Sequence, residues 1–133
     1  MYGAVVDGGG ILATRVGSCL VLAVGKDLAG SALESLRALA IDELRGLPAT
    51  AVVFDLSALC YLDSHEFTEL RSIARMVDML GAPSMFVGLQ PGVIVHLMQL
   101  DADTAGLRTA LGLDEALRQF GIIGDDGNAW HAP

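Results

Sequence analysis

The spacing of apolar positions changes several times along the chain, and each change marks a new element. Ile11 to Val16 and Cys19 to Val24 are short, largely apolar runs separated by Gly17-Ser18, which predicts two strands joined as a hairpin. From Ala29 to Leu47 the spacing becomes three and four. Leu33, Leu36, Ala40, Leu44 and Leu47 then share one stripe with charged residues between them, as on an amphipathic helix. Ala51 to Phe54 is apolar throughout and bounded by Pro48 and Asp55, the pattern of a strand covered on both faces. A second helix is expected from about Asp63, with Phe67, Leu70, Ile73 or Ala74, Val77 and Leu80 turned inward, and Gly81 and Pro83 ending it.

Met85 to Gly88 reads as the next strand. Pro91 suits the first turn of a third helix carrying Val93, Ile94, Leu97 and Leu100, because its fixed φ is helical and its missing N–H would have had no helical partner. An extended piece around Leu107 to Thr109 and a helix from Leu113 to Phe120 follow. Residues 1–10, ending in Gly8-Gly9-Gly10, read as a lead-in, and the residues from Gly121 onward lack periodicity. The order β-β-α-β-α-β-α-β-α predicts an α/β domain whose mixed sheet opens with an antiparallel hairpin and continues with parallel strands. The domain is placed at residues 10–121, with a loose tail over residues 122–133.

Composition narrows the function. Apolar residues are 53% of the chain and charged ones 18%, so a packed core is expected rather than disorder. The formal charge of −8 argues against nucleic-acid binding, since an acidic surface repels phosphate backbones. The longest apolar stretches fall short of the roughly 20 residues that a spanning helix needs, so no membrane association is expected. Met1-Tyr2-Gly3-Ala4 offers no basic segment before an apolar run, which makes a cytoplasmic location the expectation. The two cysteines, Cys19 and Cys60, form no CxxC and are expected to be buried thiols.

Candidate chemistry is sparse. His65, His96 and His131 lie on different segments without zinc-ligand spacing, so no metal site is expected. Gly25-Lys26-Asp27 lacks the upstream glycine and the Ser or Thr of a phosphate-binding loop. Asp63-Ser64-His65 has the residue types of a hydrolase triad, but consecutive side chains at a helix start diverge. No catalytic residue and no cofactor is assigned. Asp63 with Glu66 three positions on resembles a capping box, which places Ser64 at N1, and on the residues alone that is a capping arrangement.

The segment Val52 to Phe120 adds a second line of argument. Val52-Val53-Phe54-Asp55-Leu56-Ser57 followed by Leu62-Asp63-Ser64, then Leu80-Gly81-Ala82 and Val87-Gly88-Leu89-Gln90-Pro91, resembles the STAS family of anti-sigma-factor antagonists, and within it the small stressosome scaffold (RsbS-type) branch. The resemblance implies a STAS-type mixed sheet with about four helices packed largely on one face. It implies phosphorylation at Ser64 and a partner-contact surface that includes Asp63, His65, Glu66 and Gln90. The implied partners are an anti-sigma factor or a switch serine kinase of the histidine-kinase-like ATPase superfamily, and larger STAS paralogues in a homo- or hetero-oligomer. His65-Glu66 departs from the small or apolar residues usual after the serine, and His96 stands where the branch commonly has threonine. Two other readings remain: a scaffold whose Ser64 is not modified, and a small-ligand sensor using the surface around Cys60, His65 and Gln90.

Overall fold

The computed structural model describes residues 5–6, 10–28, 30–99 and 108–124. A six-stranded sheet runs in chain order, β1 (Val5–Val6), β2 (Leu12–Val16), β3 (Cys19–Ala23), β4 (Ala51–Asp55), β5 (Ser84–Val87) and β6 (Thr109–Ala110). The first three strands are antiparallel, and β3 to β6 are mutually parallel. Helices α1 (Ala32–Gly46), α2 (Ser64–Met79) and α3 (Pro91–Gln99) make the crossovers, and α4 (Leu113–Gln119) follows β6. The expected mixed sheet with its opening hairpin is therefore present. The short β1 was not foreseen; it lies in the stretch read as lead-in and pairs Val5 with Ala13 and Val6 with Leu12.

The inner strands explain why their sequences are apolar without alternation. Every residue of β5 and the first four of both β3 and β4 are buried, because the sheet is covered on both faces. One face carries Leu20, Leu22, Val52, Phe54 and Phe86 against α1, α2 and α3, whose buried stripes include Leu36, Phe67, Leu70, Ile73, Val77, Val93 and Leu97. Phe54 and Phe86 meet edge to face, with ring centroids 5.5 Å apart. The other face carries Cys19, Val21, Ala51, Val53, Met85 and Val87 against Ala116 and Leu117 of α4 and against Ile122 and Ile123.

Four local expectations change. Ile122 and Ile123, assigned to the tail that starts at residue 122, are 8% and 7% exposed. Gly121 ends α4 in a left-handed turn (φ +74°), and Ile122 N–H donates to Leu117 O at 2.8 Å, so Ile122 takes the apolar position that follows such a cap. Residues 125–133 of that tail lie outside the described residues. Leu80 was expected inward and is 57% exposed: α2 ends at Met79, and the cap turns the last position of the stripe outward. The last strand is Thr109–Ala110, while Leu107, like Leu100, lies outside the described residues. Cys60, expected to be buried, is exposed, because Leu59 and Leu62 take the inward positions of its loop.

The two thiols consequently differ. Burial pushes the Cys19 thiol from 9.0 up to about 12, with smaller opposing effects from a hydrogen bond to the Val53 backbone and from Arg15. A raised folded-state value means that the stability linked to this group is complete below pH 9.0 and is lost as pH rises toward about 12. Alkylation of the native protein at mild pH should therefore label Cys60 alone, and Cys19 should react only after denaturation. Mass spectrometry showing rapid labelling of Cys19 in the native state would contradict this packing.

Candidate functional site

The carboxyl ends of β3, β4 and β5 meet at one edge of the domain, the position where open α/β sheets present their loops. Backbone hydrogen bonds tie these loops together. Val24 N–H donates to Asp55 O at 3.1 Å, Leu56 N–H to Val87 O at 2.9 Å and Cys60 N–H to Lys26 O at 2.9 Å. Between β4 and α2, Leu56, Leu59 and Leu62 are each at most 1% exposed, so the loop is pinned to the core at every third residue. Ser57, Ala58, Cys60 and Tyr61 are left facing outward. The sequence reading overlooked this pinning, although the Leu56, Leu59, Leu62 spacing carries it.

The pinned loop delivers the chain to α2 in one geometry. Asp63 is the N-cap: its Oδ1 accepts from Glu66 N–H at 2.7 Å, and Glu66 Oε1 accepts from Asp63 N–H at 3.1 Å. The capping box is thus closed in both directions, and two backbone amides at the helix start find partners. Ser64 is the first helical residue and is half-buried; its carbonyl accepts from Thr68 Oγ1 at 2.8 Å. His65 is exposed, and Asp63 and Glu66 are half-buried. Two carboxylates flank Ser64 where the helix dipole favours negative charge.

Gln90 comes to the same edge from another element. Its carbonyl accepts from Val93 N–H and Ile94 N–H at 3.0 and 3.2 Å, so Gln90 begins α3, and it is exposed. It shares a shallow cavity of about 250 Å³ with Cys60, Tyr61, Leu62, Val93 and His96. Tyr61 and His96 face each other there, with ring centroids 6.1 Å apart. The structure thus sets Gln90 against the loop that leads into Asp63 and Ser64. His65 does not line this cavity, so the surface suggested for small-ligand sensing is divided, with Cys60 and Gln90 together and His65 apart. Among the described residues, no group of three or more His, Cys, Asp or Glu is placed to hold a metal ion, and no helix is long and apolar enough to cross a membrane.

No protein-family profile and no curated relative matches the sequence. Solved structures do match. RsbS of Moorella thermoacetica superposes with a TM-score of 0.71 at 25% identity, over 83% of this chain and 93% of that one. A chain from the molecular architecture of the stressosome, described as a signal integration and transduction hub, gives 0.71 at 27% identity, over 81% and 94%. The anti-sigma factor antagonist SpoIIAA in its unphosphorylated form gives 0.60 at 14% identity, over 82% and 94%, a likeness of fold alone. The fold is that of a STAS domain. In structure the chain stands close to RsbS.

Proposed function

We propose that this domain is a protein-binding switch set by phosphorylation of Ser64. The observation that carries the reading is the closed capping box, which holds Ser64 at N1 of α2 at the end of a pinned loop whose Cys60, Tyr61 and Leu62 share a cavity with Gln90. An anti-sigma factor or an ATP-dependent serine kinase of the histidine-kinase-like superfamily would dock over this edge, touching Asp63, His65, Glu66 and Gln90, and would supply the catalysis itself. Larger STAS proteins are the expected companions in an assembly. SpoIIAA, which shares the fold, has a structure in the phosphorylated form as well as in the unphosphorylated one, which supports the reading.

Electrostatics supplies the switch. Phosphoserine adds about −1.5 to −2 charges, here between Asp63 and Glu66. The helix N-terminus offsets part of that charge within the domain, whereas a docked partner surface has to desolvate it. A loss of about 3 kcal/mol in partner affinity corresponds to a roughly 150-fold change in occupancy, enough for a two-state response.

Incubation with the cognate kinase and ATP should add one phosphate, at Ser64. In calorimetric titration Ser64→Ala should bind the partner like the unmodified protein, while Ser64→Asp and the phosphorylated protein bind at least about tenfold more weakly. Thermal melts of both variants should stay within about 1 kcal/mol of the parent, since a first-turn carboxylate is favourable and repulsion from its neighbours offsets the gain. Phosphate mapped to Ser57, Thr68 or Ser72, or unchanged partner affinity of the phosphorylated protein, would sink the proposal.

The scaffold reading has one observation in its favour. A mostly apolar groove of about 310 Å³ between the C-terminal ends of α1 and α2, lined by Ile41, Leu44, Arg45, Met76 and Leu80, suits assembly and does not include Ser64. A large particle on gel filtration that forms with Ser64 unmodified and stays unchanged after kinase treatment would favour it.

A further inference from the structure

Three large apolar side chains stay exposed where α1 and α2 end: Leu47, Met79 and Leu80. Leu80 lines the groove that Ile41, Leu44, Arg45 and Met76 complete, and Leu47 and Met79 each come three residues after a lining residue. Exposed apolar surface concentrated in this way marks a place of contact with another molecule. The charges beside it are distinctive. Asp42 and Arg45 stand three residues apart on α1, so they share a helix face, and both are exposed. Among the described residues, neither side chain has a hydrogen-bond or ion-pair partner. The neighbouring acids are engaged: the Glu43 carboxylate stands 3.9 Å from Arg15 Nε, and Asp78 Oδ1 accepts from Ser84 N–H and Ser84 Oγ at 3.0 and 3.2 Å.

We infer that this face docks on the same face of a second copy of the chain, as a two-fold dimer with antiparallel α1 helices in which Asp42 of each copy meets Arg45 of the other. The inference rests on the assembly reading of the groove and is independent of Ser64. The charge pattern selects a copy over an unrelated partner. A two-fold axis passing between Glu43 and Leu44 sets Asp42 of one α1 opposite Arg45 of the other, and symmetry then repeats the contact, so one carboxylate and one guanidinium per chain make two ion pairs. Both groups lack a partner in the single copy, so docking breaks no existing pair. The chain as a whole carries −8, which opposes self-association, whereas the Asp42–Arg45 pair adds no net charge to this face. The apolar residues supply the affinity and the ion pairs fix the register, because exposed ion pairs contribute little by themselves.

The test is sedimentation equilibrium of the full chain alone, where a monomer–dimer equilibrium is expected between about 5 and 500 µM. Asp42→Arg and Arg45→Asp each set like charges opposite one another, and each should weaken dimerisation by about tenfold or more. An equimolar mixture of these two variants should dimerise like the parent, because every contact between them again joins a cation to an anion. Met79→Gln alters a side chain that is 88% exposed in the single copy, and it should weaken the dimer by about tenfold through lost apolar burial. Thermal melts confirm that the variants are folded. Monomer throughout the range, parental affinity in Met79→Gln or in both charge variants, or a mixture no tighter than its components overturns the inference. Gel filtration with larger STAS proteins separates it from the reading on which it rests: a chain that is monomeric alone and still enters a large particle overturns this dimer and leaves the assembly reading standing.

Discussion

Replacing Arg15 with methionine is expected to lower the stability of the domain by about 2–4 kcal/mol, a fall of roughly 10 °C in Tm for a chain of this size. Arg15 lies on β2 and is 3% exposed, and its guanidinium serves the C-terminus of α1. Nη2 donates to Glu43 O at 2.7 Å and to Leu47 O at 2.6 Å, Nη1 donates to Pro48 O at 3.4 Å, and the Glu43 carboxylate stands 3.9 Å from Nε. Glu43 O also accepts from Leu47 N–H, whereas Leu47 O and Pro48 O lie just past the last turn of α1, so a buried cation here meets the hydrogen-bonding need of the carbonyls leaving the helix and the negative end of its dipole together. Methionine fills much of the volume and removes every donor. Arg15→Lys should recover only part of the loss, because a single ammonium does not reproduce the fork that reaches three separate carbonyls. Denaturant unfolding of both variants measures the effect, and an Arg15→Met change below about 0.5 kcal/mol would show that water caps this helix equally well.

Arg15 also shows where sequence reading stops. The hairpin, α1, β4, α2 and its capping box, and α3 were legible because each rests on local rules: periodicity, turn residues and caps a few positions apart. The placement of Ser64 at N1 follows from Asp63 and Glu66 alone. Arg15, by contrast, acts on residues 28 to 33 positions away, and nothing within β2 marks a strand arginine as the cap of a later helix. The meeting of Gln90 with Cys60 and Tyr61 likewise depends on how crossover loops return to the sheet. Ile122 is an intermediate case. Gly121 just after α4 is a local signal for a left-handed cap with an apolar residue behind it, and it was hidden because two isoleucines before a polar tail show no period.

Gly88→Ala should cost about 3 kcal/mol and should also disturb the path of the chain into Ser64. Gly88 follows β5 with φ +78°, a conformation that an L-residue adopts at a cost of about 1–2 kcal/mol. A Cβ built there would fall 2.7 Å from Ser57 Cβ and 2.8 Å from both Cα and N of Ser57, which is backbone and not the yielding end of a long side chain. Ser57 is poorly placed to retreat: its N–H donates to Asp55 Oδ1 at 3.0 Å, and the preceding Leu56 N–H donates to Val87 O at 2.9 Å. Relief of the clash must therefore lift the loop that Leu59 and Leu62 pin down, and that loop ends at the Asp63 cap. Gly81→Ala provides the matched control, since Gly81 has φ +97° with nothing within 4 Å of its added Cβ and so carries the conformational cost alone. Thermal melts should rank Gly88→Ala well below Gly81→Ala, and on the proposed function phosphorylation of Ser64 by the cognate kinase should slow in the first variant and not in the second. Equal melts for the two would mean that Ser57 moves aside freely, and the rigid delivery of Ser64 to the proposed partner surface would then lose its physical basis.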